Sequence, residues 1–401
     1  MCVKISRTPL LCIAGKNDIA VNVLDYARKN FPELEIVAVM NSNESFKNSW
    51  QRSAGLYCQD NGIKIVSLED VYGIEELIFL SVEFDKIIIP AKFTSPNLYN
   101  IHFSLLPKYK GCNTSIIPIL HGERKSGVTL HRIRRGIDTG EIIAQREVEI
   151  SYDDNSLKLY CKLIKAGSEL ACEYLGRLIA HDFTEIPQSF INSEYFSRRD
   201  IDYGNLKLDI NRTAEQIHNQ IRAFAFRPYQ LLTFRNCGLV GSRITHNVSH
   251  EKPGTILEET ETHFLVSTID YDIYIYKDVL SEIIAALRSH DDERAKSLCE
   301  FAPIINDADM NGFSPASIAK SENNSEMINF FDEIILDWAQ KIQYNQLSAL
   351  SSQLSALKST LSLNSRKKFN KKIYAFSCKR YSRLFGRAYF IARCQECICA
   401  S

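Results

Sequence analysis

Apolar and polar positions alternate with two different periods along the first 150 residues. Short β-branched runs at Leu10 to Ala14, Glu35 to Val39, Ile63 to Val66 and Lys86 to Ile89 predict strands. Between them, stretches such as Ala20 to Asn30 and Trp50 to Asn61 space their apolar residues as helices do. This alternation predicts an α/β domain with a mostly parallel sheet and helices on both faces. Residues 127 to 132 and 141 to 150 read as two further strands, the second with strict alternation, which gives the sheet a mixed edge. A helix is expected from Asp153 to His181, where Leu157, Tyr160, Leu163, Ile164, Leu170, Tyr174 and Leu178 keep helical spacing.

Beyond residue 204 the pattern changes. Residues 205 to 280 hold a helix, Ala214 to Phe224, and short runs at Leu231 to Asn236, Thr255 to Leu257, Thr262 to Thr268 and Ile273 to Tyr276, separated by turn signals. They predict a small α+β domain. Residues 281 to 340 read as helix throughout, and DADMNGFSPASIA at 307 to 319 places Gly312, Ser314, Pro315 and Ala319 on the ankyrin pattern G-x-[ST]-P-L-H-x-A. Ala316 and Ser317 replace the Leu and His of that pattern. One such repeat cannot bury its own core, so this helical ankyrin-like module is expected to dock on the second domain as a packing addition. In residues 341 to 401, Leu347, Leu350, Leu354, Leu357 and Leu361 follow a coiled-coil seam. At about two and a half heptads the seam is short, and a single packed helix fits it better than self-association.

Composition adds an asymmetry. The 401 residues carry 48 basic and 48 acidic side chains, but ten basic residues and one acid lie between Arg366 and Ser401, and the first 365 residues are net −9. A basic tail interleaved with Phe369, Tyr374, Phe376, Tyr381, Phe385, Tyr389 and Phe390 is attached to an acidic body. The acidic body argues against a nucleic-acid partner. The tail reads as a solvated extension, with an anionic membrane surface or nucleic acid as its other possible contacts. Twelve cysteines scattered through predicted elements, without a signal peptide or a membrane-length apolar run, indicate a reduced, cytoplasmic protein. Only Cys394, Cys397 and Cys399 cluster, with no second pair or histidines nearby, so no metal site is expected.

The segment NIHFSLLPKYKG at 100 to 111 concentrates the chemistry. Asn100 and His102 are two apart on an extended segment and share a face. Downstream, GVTLHRIRRGIDTGEII sets Asp138 in a turn between Gly136 and Gly140. A carboxamide that donates to an oxyanion, an imidazole that takes the proton of an attacking amine, and a carboxylate that orients that imidazole and steadies its charged form are the parts of acyl transfer to an amine.

The combination N-x-H, S-L-L-P, G-x-T-x-H and D-T-G, with Asp138 36 positions after His102, resembles the folate-dependent formyltransferases over roughly residues 10 to 150. The resemblance implies a Rossmann-like catalytic domain at 1 to 204, catalytic roles for Asn100, His102 and Asp138, and N10-formyltetrahydrofolate as formyl donor. It also implies donor contacts near Lys92, Phe93, Thr94 and Arg134. IAGKN near the first strand, FDKII, NIHFSLLPKYKG and Arg222 to Gln230 look like the nucleotide-sugar branch. That branch formylates an amine on a dTDP-linked amino-deoxysugar, and the ankyrin-like module resembles enzymes acting on dTDP-3-amino-3,6-dideoxyhexoses for surface polysaccharide (O-antigen) synthesis. A homodimer paired through the second domain is expected from the same resemblance. Lys16 and Asn17, at the end of the first strand and the start of a helix, offer a place for a phosphate and are equally consistent with a surface loop. Trp50 and Gln51 are candidates for stacking on a base or for covering the sheet edge. Methionyl-tRNA formylation with the tail as RNA grip, and a non-enzymatic ankyrin-type scaffold, are the competing readings.

Overall fold

A computed structural model describes residues 9 to 340, apart from Pro228 and Met310. The leucine seam, the basic tail and the Cys394 cluster lie outside the described residues. The chain divides into two units, Met1–Ile335 and Leu336–Ser401. Of the second unit only residues 336 to 340 are described, as helix.

The first unit opens with β1 (Leu10–Gly15), α1 (Asn17–Asn30), β2 (Glu35–Met40), α2 (Ala54–Asp60), β3 (Lys64–Ile65), β4 (Leu77–Val82), β5 (Leu98–His102), β6 (Lys110–Gly111), α3 (Ile117–Leu120), β7 (Lys125–Arg132), β8 (Ile142–Glu149) and α4 (Ser156–Ala180). The main sheet has the order β3-β2-β1-β4-β5-β7-β8. It is parallel from β3 to β5, while β7 runs antiparallel to β5 and β8 antiparallel to β7. Strand order reverses between β1 and β4, which opens a crevice at the carboxyl ends of those two strands. Gly15 closes β1 there because a Cβ would lie 1.9 Å from the Val82 carbonyl, so no larger residue lets the two strands approach.

Side chains on β1 and β4 alternate between two cores. Leu11, Ile13, Ile78, Leu80 and Val82 pack with the buried faces of α1, α2, α3 and α4. Cys12, Ala14, Leu77 and Phe79 pack on the other face with Leu68, Val71, Ile88 and Phe93. This second face is covered by loops and the 3-10 turns Glu69–Val71 and Pro90–Lys92, which corrects the expectation of helices on both faces. The strand expected at Lys86 to Ile89 is also displaced. The buried strand is Leu77–Val82, and Ile87 and Ile89 are 73% and 51% exposed in the loop that follows. β-Branched content drew the assignment to IIIP, but that run lies past the edge of the sheet and only Ile88 turns into the core.

A linker containing β9 (Tyr195–Phe196) pairs with β6 and leads to α5 (Ala214–Phe224). Then β10 (Leu232–Phe234), β11 (Cys237–Ile244), β12 (Ile256–Glu259), β13 (His263–Val266) and β14 (Ile273–Lys277) form an antiparallel sheet of order β10-β11-β14-β13-β12. The buried face of α5 (Ala214, Ile217, Ile221) packs on it. Thr213 caps α5 reciprocally with Gln216. Next come α6 (Leu280–Arg288), α7 (Asp292–Leu298) and α8 (Pro315–Ser321), with α6 against α7 and α8. Ser314 caps α8 and Pro315 begins it, as the N-terminal preferences of these residues dictate.

One buried cluster joins α5 to the loop before α4. The His218 ring stacks on Tyr152 at 4.3 Å, its Nε2 lies 3.1 Å from the Tyr152 carbonyl and its Nδ1 3.0 Å from the Ser242 hydroxyl. Arg222 donates to the Asp154 carbonyl at 3.1 Å. Burial pushes the His218 pKa down from the ordinary histidine value to about 3, with the Arg222 charge acting in the same direction. The unfolded chain therefore binds a proton here that the folded chain excludes, and stability falls as pH drops from about 6.5 toward 3. Thermal melts of His218→Gln across that window are expected to show a shallower loss of stability with acid than the parent protein, by one proton's worth of slope.

Candidate active site

β5 ends by presenting Asn100 and His102 on one side of the strand. His102 is 7% exposed, and its Nε2 lies 2.8 Å from the Tyr109 carbonyl. A carbonyl can only accept, so Nε2 carries the proton and Nδ1 keeps its lone pair in the neutral ring. That Nδ1 faces Asp138 Oδ2 at 3.4 Å. Tyr109 reaches this position with φ of 56° and Asp138 with φ of 52°. Left-handed backbone at non-glycine residues costs about 1–3 kcal/mol each and persists only where the surroundings enforce it. Here the Tyr109 ring stacks on Phe196 (5.8 Å, 20°) and its hydroxyl donates to Glu123 Oε1 at 2.9 Å. The Gly111 N–H donates to Asp138 Oδ2 at 2.8 Å. Gly111 has φ of 89° and a Cβ would lie 2.2 Å from the Phe196 carbonyl, so only glycine fits.

Asn100 is held from β7, where its register partner is His131. His131 Nδ1 sits 2.7 Å from the Arg132 carbonyl and donates to it, which leaves Nε2 to accept from Asn100 Nδ2 at 3.1 Å. The carboxamide is thereby fixed in orientation with a second N–H to offer. Asp138 Oδ1 lies 3.5 Å from His131 Nε2.

The charges follow from this geometry. Burial opposes the ionisation of Asp138, but the Gly111 amide and the pairing with the His102 and His131 rings, in their protonated forms, outweigh it and pull the carboxyl well below the usual carboxylate range. Burial pushes His102 below the ordinary histidine value, against the pull of Asp138 and the Tyr109 carbonyl. Near neutral pH the site presents an unprotonated Nδ1, an ionised carboxylate and an anchored carboxamide. The Tyr109 carbonyl holds one ring nitrogen of His102, and Asp138 faces the other.

A second group of side chains lines the crevice between β1 and β4. The Tyr160 hydroxyl donates to Glu83 Oε1 at 2.6 Å and receives Gln51 Nε2 at 3.4 Å. Asn17 and the charge of Lys16, at the end of β1, both act to lower the Glu83 pKa, and Asn17 acts on Tyr160 in the same way. Burial raises the Glu83 pKa against those partners. Aromatic rings continue this wall: Trp50 lies 6.0 Å from Tyr160 and 6.3 Å from Phe226, and its Nε1 donates to the Tyr229 hydroxyl at 3.1 Å. Trp50 and Tyr229 are 41% and 68% exposed. The structure therefore brings Lys16, Asn17, Trp50 and Gln51 together. It extends the wall to Phe103, which contacts Tyr160 at 6.1 Å and directly follows His102.

The residues expected near the formyl donor are more dispersed in role. Phe93 is buried against Tyr72 and Phe79, and its N–H donates to the Pro90 carbonyl. Thr94 donates its N–H to the Tyr72 carbonyl, Lys92 lies over the Tyr72 ring at 5.6 Å, and Arg134 is paired with Glu141 at 2.9 Å. Ile133 joins Ile88 and Phe93 in one cluster, which sets the loop after β4 beside the loop carrying Asp138. Those two loops expose Ile87, Ile89 and Ile137.

Known proteins share both the sequence and the shape of this unit. Residues 75–175 match the family model "Formyl transferase" and residues 200–280 match "Formyl transferase, C-terminal domain". The crystal structure of WlaRD, described as a sugar 3N-formyl transferase in the presence of dTDP and 5-N-formyl-THF, is 43% identical with a TM-score of 0.64, covering 68% of this chain and 99% of that one. The chain belongs to the formyltransferase family, in its sugar N-formyltransferase branch.

The N-formyltransferase from Helicobacter canadensis, solved with folinic acid and dTDP-3-aminofucose, is 42% identical with a TM-score of 0.63, covering 67% of this chain and 98% of that one. Methionyl-tRNA formyltransferase from Staphylococcus aureus (strain Newman) is 27% identical over 216 residues, which are 53% of this chain and 69% of that protein. The formyltransferase match at 75–175 spans Glu83, Asn100, His102, His131 and Asp138, and the C-terminal match spans α5 and the Phe226 loop. Membership in an enzyme family replaces the scaffold reading. Glu83 was not singled out from sequence, and Tyr109, Tyr160, Phe226 and Tyr229 appeared only within motif or helical segments, without a role at the site. The signal for Glu83 was present, as a carboxylate directly after the mostly apolar run Leu77 to Val82, but was hidden once the strand was placed at Lys86 to Ile89.

Proposed function

We propose that this formyltransferase moves the formyl group of N10-formyltetrahydrofolate to the amine of a dTDP-linked amino-dideoxyhexose, at C3. The observation that carries the reading is the His102 arrangement, in which Nε2 is committed to the Tyr109 carbonyl and Nδ1 is left basic beside Asp138. The neutral substrate amine attacks the formyl carbon, and Asn100 donates its remaining N–H to the oxyanion as it forms. His102 Nδ1 takes the proton that the amine nitrogen loses as the new C–N bond forms. Asp138, 3.4 Å away, then pairs with the imidazolium. Collapse of the intermediate breaks the bond to N10, which takes the proton from the His102 imidazolium and leaves as tetrahydrofolate, returning the ring to its neutral form.

Both substrates find matching surfaces. The exposed Ile87, Ile89 and Ile137 and the main chain at 92 to 94 suit a flat pterin beside Asp138. On the other side of His102, Trp50 and Tyr229 suit a thymine ring and Lys16 a diphosphate. The C3 position is supported by the two relatives at 42–43% identity, described as a sugar 3N-formyl transferase and as a complex with dTDP-3-aminofucose. On sequence grounds we place the domain limits at 1–204, 205–280 and 281–340, the last read as ankyrin-like. Steady-state kinetics test the acceptor side. Trp50→Ala is expected to raise the KM for the dTDP-amino sugar roughly 2- to 12-fold, the equivalent of ~0.5–1.5 kcal/mol of ring stacking, with the folate KM unchanged. A rise in the folate KM alone would place the nucleotide elsewhere.

A further inference from the structure

The loop after α5 carries Phe226 and Tyr229 to Trp50, and the residue between them in the described loop, Arg227, points the opposite way. Its guanidinium is 14% exposed and forms a two-pronged pair with Asp278, Nη1 to Oδ2 at 2.8 Å and Nη2 to Oδ1 at 2.7 Å. Its Nε makes no hydrogen bond and lies 3.8 Å from Asp307 Oδ2. Asp278 stands just before α6, and its Oδ1 also accepts the Leu280 N–H at 3.1 Å. Asp307 ends the 3-10 turn Ala302–Asn306 between α7 and α8, with 26% side-chain exposure. Burial raises the Asp307 pKa, and Arg227 followed by Lys158 on α4 are the charges that favour its ionised form.

At the base of the loop the Ser156 hydroxyl donates to the Ala225 carbonyl at 3.2 Å, and Phe226 packs on Tyr160 at 5.5 Å. Phe226 and Gln230 are bridged through main-chain hydrogen bonds, and the Tyr229 N–H donates to the Phe226 carbonyl, which shapes the turn. Arg227 ties that turn to the C-terminal part of the unit, and both of its carboxylate partners flank the helices after residue 278. The Arg fork fits one carboxylate in a fixed plane, and a second charge on its Nε edge selects the rotation of that plane.

We infer that the C-terminal helices of this unit act in acceptor recognition. Through Asp278 and Asp307 they clamp Arg227 and so press Phe226 and Tyr229 against Trp50 in the nucleotide-binding wall. Arg227 and Asp307 are positioning residues, and the inference rests on the proposed assignment of that wall to the dTDP moiety. It gives the helical module a role in the reaction although none of its residues needs to touch a substrate.

The test uses the full chain in a Trp338→Phe background, which leaves Trp50 as the sole tryptophan. Asp307→Asn removes the charge while keeping the shape. It is expected to raise the KM for the dTDP-3-amino sugar roughly 3- to 10-fold, with kcat and the folate KM within twofold, and to make Trp50 more accessible to acrylamide quenching. Asp307→Glu is expected to restore both readouts. Arg227→Lys, which keeps the charge but loses the fork, should behave as Asp307→Asn does and serves if the latter folds poorly. Unchanged KM and quenching in both variants, or a parallel loss in kcat and both KM values, would overturn the clamp. Failure of the underlying assignment looks different, because the Trp338→Phe protein would then show no quenching of Trp50 by dTDP.

Discussion

Formyl transfer by His102→Gln is expected to run 10²–10⁴-fold slower in kcat than the parent enzyme, the usual worth of a positioned general base. Both KM values should change little, because His102 acts on the proton in transfer and, at 7% exposure, offers little surface for substrate binding. Glutamine can still donate to the Tyr109 carbonyl that His102 Nε2 engages, so the loop at 105 to 111 keeps its anchor. What disappears is the lone pair at Nδ1. A fall in stability large enough to explain the loss would instead assign His102 to the fold, and a thermal melt alongside the kinetics separates the two.

Asp138→Asn should be the second most damaging change, with kcat lowered by about 10²–10⁴-fold, as when a carboxylate beside a catalytic imidazole is replaced by an amide. Its pH dependence distinguishes it from a simple loss of packing. Burial depresses the His102 pKa and Asp138 pulls it up. Removing the carboxylate leaves the depression unopposed, so the acid limb of kcat/KM, where His102 becomes protonated and inactive, should move to lower pH. The plateau above it should be lower, because the imidazolium formed during attack has no counter-charge. An acid limb that moves to higher pH, or stays in place, would show that Asp138 does not act on His102. The substituted carboxamide would also be a weaker acceptor for the Gly111 N–H, which in the parent is a bond to an ionised group at 2.8 Å.

Much of this site was legible in the sequence because its chemistry is local. Asn100 and His102 lie two apart on one strand, and Asp138 lies in a short turn between glycines, so the motifs around them carried the resemblance to the folate-dependent formyltransferases that links the three. The mostly parallel character of the main sheet was likewise readable from periodicity. Strand β4 was not, since LIFLSV precedes the more strongly β-branched KIII and only burial tells the two apart. Strand β11 was passed over because Gly238 and Gly241 read as turn signals. In the fold Gly241 makes room for the Phe301 ring, which a Cβ would meet at 2.1 Å. The contacts that complete the acceptor wall join residues far apart in the chain. Trp50 and Tyr229 are 179 positions apart, and no pattern in either segment announces the other. The support given to Asn100 by His131 depends on β-sheet register and on a tautomer set by the Arg132 carbonyl, neither of which spacing encodes.

The most direct test incubates the full-length protein with N10-formyltetrahydrofolate and a panel of acceptors: dTDP-3-amino- and dTDP-4-amino-dideoxyhexoses, glycinamide ribonucleotide and methionyl initiator tRNA. The expected product is an N-formylated dTDP-3-amino sugar, formed in step with release of tetrahydrofolate and abolished in His102→Gln. Formylation of the tRNA or of glycinamide ribonucleotide, with none of the dTDP-sugars modified, would contradict the proposed acceptor.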